Sequence, residues 1–423
     1  MRHLGAVLTF DRRGKLRYWP HAELRTDARG RIAALRPLKA KGARKPSRLL
    51  IPGLIDAHCH VSQYPAVACD GLPLLPWLAR HIFPLEERFR GPAARARIRR
   101  FFRELAAHGT TFAALYTSIW QDSTDACFEE AERSGLRVVM GKVMMDRHSY
   151  GTRSTTLKGE NLTEVSIRQS CELCERWHGR AGGRLQYAFT PRFALSCSME
   201  LMREAGRLAR RYGAWVQTHL SENRDEVAAV RRAFPSCRSY ADVYARAGLL
   251  GPRTLLAHCV WLSDAELRKV ASSGSTIVHC PTSNAFLGSG ILDLARARRA
   301  GAGLALGSDV GAGPSLDLFE VMRQTVFGQR WAFAHRLFKG GGTVHAADAF
   351  RLATLDAAKA LGLADSLGTL ETGKAADFVV LDPAAWDPGF CADESAGAVV
   401  SRLVYRASRS AVRETWVAGR RVH

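Results

Sequence analysis

The sequence predicts an α/β fold: a (β/α)8 TIM-type barrel with a small β-sandwich domain formed by the N- and C-terminal segments. Three observations predict it. Eight strand-like runs recur from about Leu49 onward. Amphipathic stretches, each closed by a glycine, separate them. The residues outside this alternation, at both ends, read as short β runs. Strand and helix alternating eight times argue for a parallel barrel, since an open doubly wound sheet usually needs fewer units.

The N-terminal runs are "GAVLTF", "LRYW" and "RIAAL". The barrel strands are "RLLIPGLIDAH", "GTTFAALY", "LRVVMGKVMM", "LQYAFTPRF", "AWVQTHLSE", "TLLAHCVWL", "STIVHCPTSN" and "GLALGSDVGAG". Stretches such as "SMELMREAGRLARRYG" and "LSDAELRKVASSG" place apolar residues at helical spacing. The segment His60–Gly109, between strands one and two, is unusually long. Loops after barrel strands stand over the active site, so this one is a candidate lid. After the barrel come "ADFVVLD", "RLVYR" and "ETWVAGRRV", which read as strands. The expected division is therefore 1–48 plus 367–423 for the small β domain and 49–366 for the barrel.

Composition narrows the function. The chain of 423 residues is 47% hydrophobic and 24% charged, an ordinary globular balance. No apolar run reaches membrane-spanning length, and the N-terminus reads as a first strand, not a signal peptide. The net charge of +21 invites a nucleic-acid reading. Its basic residues are overwhelmingly arginine and spread along the chain, with clusters at Lys39–Arg48 and Arg88–Arg100. That pattern fits a coding bias better than a binding patch, so neither nucleic acid nor membrane is an expected partner. The 10 cysteines lack regular spacing, which suits a reducing cytoplasm. The lone C-x-x-C, Cys171–Cys174, lies in a helical pattern and reads as packing.

Metal-capable residues gather at predicted strand ends: His58 and His60 after strand one, His219 and Glu222 after five, His258 after six, Asp309 after eight. The C-terminal ends of barrel strands converge on one mouth. Singly, His258 suits a core histidine and Asp309 a helix cap. Together, three or more imidazoles and a carboxylate suit zinc or iron(II) with N and O ligands. A metal so held lowers the pKa of a water, and Glu222, three residues beyond His219, is placed to accept its proton and return it to a leaving group. His258 would polarise the attacked bond or steady the nucleophile. The reaction class is metal-assisted hydrolysis at an electron-poor carbon. His279 reads as structural, as do His81, His108, His178 and His335. Phosphate-loop, dinucleotide and H-E-x-x-H motifs are absent, as is P-C-x-x-C of the cysteine-ligated nucleobase deaminases.

The stretches "PGLIDAHCH", "THLSEN", "LAHC" and "GSDVGAG" resemble the amidohydrolase superfamily. With "HCHVSQY", "LLPWLARHIFPLEERF", "YAFTPRFALSCS" and "HCPTSNAFLGSG" they resemble, more narrowly, its bacterial guanine deaminases. The resemblance implies one Zn2+ per subunit, with Fe2+ as the alternative, on His58, His60, His219 and Asp309. It implies a proton-moving Glu222 assisted by His258 and Asp309. It implies a purine held by Gln63, Arg192 and Phe193, beside His219 and Glu222, and a homodimer. Arginine can donate to a ring carbonyl, glutamine can donate and accept, and phenylalanine can stack, which suits guanine. "YTSIWQDST" and "YPAVACDG" depart from the family pattern and would tune access. The competing readings are a related deaminase of 8-oxoguanine, a pterin or a triazine, and a metal-free structural relative.

Overall fold

The computed structural model describes residues 1–39, 46–153, 157, 159–338, 343–390 and 394–423. Most of the Lys39–Arg48 basic cluster therefore lies outside the described residues. Four strands open the chain: β1 (Arg2–Phe10), β2 (Leu16–Thr26), β3 (Ile32–Pro37) and β4 (Leu49–Pro52). Then come β5 (Leu54–His60), β6 (Thr110–Tyr116), β7 (Arg137–Gly141) and a short β8 (Val143–Met144). They are followed by β9 (Leu185–Pro191), β10 (Trp215–Leu220), β11 (Thr254–His258), β12 (Thr276–His279) and β13 (Gly303–Leu306). The last three are β14 (Phe378–Leu381), β15 (Val412–Val417) and β16 (Arg420–Arg421).

The barrel is parallel, in the order β5-β6-β7-β9-β10-β11-β12-β13. It closes beyond β13, where Asp309 N donates to the His58 carbonyl at 2.9 Å and His60 N to Val310 O at 2.8 Å. Its interior is filled by alternate residues of the strands, among them Ile55, Ala57, Phe112, Ala114, Val139, Ala188, Trp215, Leu255, Val278 and Ala305. Ala357, Ala358 and Leu361 join this cluster from the helix Leu355–Ala360 and its end.

The amphipathic stretches form the outer helices. Met199–Tyr212 begins at Ser198, whose side chain accepts from Leu201 N, and ends at Gly213 in the left-handed conformation. Asp264–Ser272 begins with a capping box between Ser263 and Glu266. Cys171 and Cys174 lie on the helix Leu162–Trp177, where Cys174 is core.

The chain ends build a seven-stranded mixed sheet, β16-β15-β14-β4-β1-β2-β3. The two layers expected of a sandwich are one sheet curled over, with Arg31 bridged to Ala375 and Ile32 N bonded to Lys374 O at 2.8 Å. The sequence boundary at 48 falls one strand early, because Leu49–Pro52 pairs with β1 and β14. All four residues are apolar and buried, so the pattern could not assign them to one layer. The C-terminal run "RLVYR" is not a strand. It ends the helix Ala396–Arg406, capped by Ser395, whose buried Val399, Val400, Leu403 and Val404 recur at helical spacing.

One buried group yields a stability prediction. Lys142, between β7 and β8, is 1% exposed, and burial alone lowers its pKa to about 7. The unfolded chain keeps that proton up to the ordinary lysine range, so the native state binds fewer protons between pH 7 and about 10.4. Stability from this group therefore rises with pH across that window, and below pH 7 the burial penalty is present in full. Lys142→Met is expected to raise the thermal midpoint at pH 7, with the gain over wild type shrinking toward pH 10. Parallel midpoint-versus-pH curves for the two proteins would refute it.

Candidate active site

The first strand aims its histidines by a change of parity. Ile55 and Ala57 face the barrel interior, yet so do His58 and His60. The pairing of β5 with β6 is irregular between Asp56 and Cys59, and the extra residue there flips the alternation. The end of β13 then passes directly over this strand. A Cβ on Gly307 would lie 2.7 Å from His58 Cβ, and one on Gly311 2.6 Å from the Gln63 carbonyl, so "GSDVG" needs both glycines. Buried Asp56 ties the two strands, accepting from Ser308 N at 2.9 Å and Ser308 Oγ at 2.5 Å. Burial raises its pKa to about 7, against those hydrogen bonds.

His58, His60, His219 and Asp309 present ligand atoms that all lie within 4.8 Å of one another. Nε2 of His60 is 3.2 Å from Nε2 of His58 and from Nε2 of His219. Asp309 Oδ1 is 3.2 Å from Nε2 of both His58 and His60. A tetrahedral centre with bonds of about 2.0–2.1 Å has edges of about 3.3 Å, so these spacings fit a metal ion. His219 Nδ1 donates to the Arg192 carbonyl at 2.7 Å, which fixes its tautomer and leaves Nε2 a lone pair. Desolvation holds the His58 pKa low, that of His60 at about 4, and that of His219 well below its usual value. Burial opposes ionisation of Asp309, but His58, His60 and His258 more than offset it and leave the acid well below the usual range. Neutral imidazoles and an ionised carboxylate are the states that ligate a metal.

Glu222 follows the end of β10 and Ser221, whose φ is +55°. Burial first, then the Asp309 and Glu226 carboxylates, push its pKa well above the usual carboxylate range. Ser289 Oγ donates to its Oε1 at 3.1 Å. Its backbone N donates to Glu226 Oε2 at 2.8 Å, and Tyr240 OH donates to the other Glu226 oxygen at 2.7 Å. Glu226 also completes the capping box with Asn223 on the helix Arg224–Ala233. His258 is fully buried with φ +74°, and Asp309 has φ +48°; such backbone gathers at functional sites. His258 Nδ1 donates to Asn284 Oδ1 at 2.9 Å, while its Nε2, with no hydrogen bond among the described residues, lies 3.3 Å from Glu222 and 3.7 Å from Asp309.

His60, His219, Glu222 and Asp309 line one cavity with Gln63, Arg192 and Phe193. Leu74, Trp77, Leu78 and Leu287 also line it. Leu74, Trp77 and Leu78 come from the long segment after β5, in a helical run that includes a π-type turn at Leu78–Ile82. These apolar side chains roof the cavity, so a heterocycle reaching the ligand group packs beneath them.

The amidohydrolase family's sequence profile matches residues 49–422. This chain belongs to the amidohydrolase family. The guanine deaminase of Escherichia coli (strain K12) is 40% identical over 341 residues, which is 80% of this chain and 74% of that protein. The crystal structure of guanine deaminase from C. acetobutylicum with bound guanine superposes with a TM-score of 0.89 at 29% identity, covering 99% of both chains. An adenosine deaminase from Xanthomonas campestris with bound zinc superposes at 0.83 with 26% identity, covering 99% of this chain and 91% of that one.

Within this amidohydrolase site, the structure brings His58, His60, His219, Glu222, His258, Asp309, Gln63, Arg192 and Phe193 together. His279 stands apart from the four-ligand group, buried in the barrel, where desolvation lowers its pKa to about 3. His108 and His178 instead cap helices. Sequence reasoning assigned no role to Glu86, Asn284, Ser289, Glu226 or Asp56. "NRDE" after His219 was a capping-box signal for Glu226, and Asn284 and Ser289 sit in "HCPTSNAFLGSG". No spacing rule points to Glu86, whose partners are distant in sequence.

Proposed function

We propose that this amidohydrolase hydrolyses guanine to xanthine and ammonia, with His58, His60, His219 and Asp309 holding one zinc ion. The observation that carries the reading is a buried carboxylate, Glu222, lining one cavity with His60, His219 and Asp309 of that ligand group and with Gln63, Arg192 and Phe193. A divalent metal bound there supplies a water of lowered pKa, a nucleophile at neutral pH. Glu222 takes one proton of that water and passes it to a ring nitrogen as C2 is attacked, then takes the second from the hydroxyl now on C2 and delivers it to the departing amine. The C2–N bond breaks, oxygen takes its place, and ammonia leaves. Its high pKa suits a group that must hold the proton between these transfers. His258, oriented by Asn284, directs Nε2 at the reacting centre. Arg192 donates to the base carbonyl, Gln63 pairs with a ring edge, and Phe193 packs on the ring. The adenosine deaminase with bound zinc and the C. acetobutylicum guanine deaminase with bound guanine support metal and substrate alike.

The test is stoichiometry. Purified protein with guanine should give xanthine and ammonia one to one. A metal-loaded protein that leaves guanine intact but deaminates 8-oxoguanine, a pterin or a triazine would move the substrate assignment within the same mechanism.

We also assign a homodimer in the cytoplasm. The described cysteines are free thiols, which supports a reducing compartment. Among the described residues no helix is long and apolar enough to cross a membrane. Phe327, Trp331, Phe333 and Leu337 are exposed by 41, 69, 52 and 65%, large apolar side chains on and just beyond one helix that a second copy would cover. Sedimentation equilibrium is expected to give a dimer for wild type and a monomer for Trp331→Glu. A monomeric wild type would overturn the assignment.

A further inference from the structure

Glu86 is fully buried, and no step above uses it. It lies on the short helix Phe83–Glu87 that ends the cavity roof. Each carboxylate oxygen meets a different residue of the base-holding group. Oε2 accepts from Arg192 Nη1, and Oε1 accepts from Gln63 Nε2 at 3.0 Å. Ser62 Oγ lies 3.2 Å from Oε1 while donating to the Thr117 carbonyl at 2.7 Å. Phe83, one turn earlier, lies 5.0 Å from the Arg192 guanidinium, ring toward cation. One short helix therefore grips Arg192 by charge and by ring face, and Gln63 by the same carboxylate. The helix is itself anchored, because Trp120 Nε1 donates to the Glu86 carbonyl at 3.0 Å and to that of Glu87 at 3.1 Å.

We propose that Glu86 is a positioning residue for substrate selection, setting Gln63 and Arg192 at a fixed distance and angle from each other. The inference rests on the reading of these two as the residues that hold the base. A carboxylate of this reach does two things no other side chain does here. It neutralises a guanidinium that is 3% exposed, and it takes a second donor on its other oxygen. Because the same run carries Leu74, Trp77 and Leu78, the alignment of the pair depends on the roof being seated. Recognition of the base and closure over it become one event, the arrangement by which induced fit earns specificity.

Two variants test this. Glu86→Asp keeps the charge and shortens the reach; Glu86→Gln keeps the reach and removes the charge. Both are compared with wild type for metal content, thermal midpoint, and steady-state kinetics on guanine and 2-aminopurine, which carries the amine but no ring carbonyl. Glu86→Asp, with full metal content, is expected to raise KM for guanine about ten- to hundredfold, the cost of losing a hydrogen bond to a charged group. The kcat should change less, and the preference for guanine over 2-aminopurine should fall by a similar factor. Glu86→Gln should lower the preference further. If either soluble variant keeps the wild-type KM and preference, or loses only kcat, Glu86 is structural and the inference fails. A wild type that turns over no guanine defeats the function reading and this one with it; wild-type turnover with unmoved variant ratios defeats this one alone.

Discussion

Glu222→Gln is expected to lower kcat about a thousandfold or more, within the range for losing a general acid–base, while metal content and folding stay intact. The substitution is isosteric. Ser289 keeps an oxygen to donate to, and the backbone N of Glu222 keeps its bond to Glu226. The amide cannot accept the water's proton and return it. Burial already disfavours the ionised carboxylate, so the glutamine should fold at least as well as wild type. KM should move little, since on the proposed reading Gln63, Arg192 and Phe193 hold the base. The measurement is xanthine formation beside metal analysis and a thermal scan. A variant within tenfold of wild type would hand the proton transfer to another group, and His258, whose Nε2 lies 3.3 Å from Glu222, is the nearest candidate.

Why was so much of this site legible? The barrel announces itself through eight repeats of one local pattern, and its geometry brings strand ends together whatever their sequence separation. His58, His60, His219, Glu222, His258 and Asp309 all lie at or just past strand ends, so placing the strands placed them. The bulge that turns His58 and His60 inward was invisible, because it depends on how β5 pairs with β6. Glu86 was missed for a related reason: it serves the site from a loop, and only the folded chain brings it to Arg192. The assignment of β4 and the C-terminal helix failed on short windows. Four buried apolar residues suit either layer, and "RLVYR" shows its period only when Val399 and Val400 are read with it.

Stripping the metal is the second large effect, and it separates catalysis from folding. Chelation should abolish turnover and Zn2+ should restore it, with full activity at one equivalent per chain. The stability response follows from the same four residues. With a metal, three imidazole lone pairs and the Asp309 carboxylate share one positive centre. Without it, Nε2 atoms 3.2 Å apart face one another in a cavity, and no protonation pattern satisfies every contact. The thermal midpoint of the stripped protein should therefore fall, and at metal a thousandfold above its dissociation constant the difference is about 4 kcal/mol. His219→Ala should behave like the stripped protein even when metal is supplied, because β10 contributes the one ligand oriented through Arg192. If chelation left turnover intact, the four-residue cluster would be a structural knot and the hydrolytic reading would fall. Loss of turnover with an unmoved midpoint would instead confine the metal to chemistry, leaving the barrel to hold these ligands by its hydrogen bonds alone.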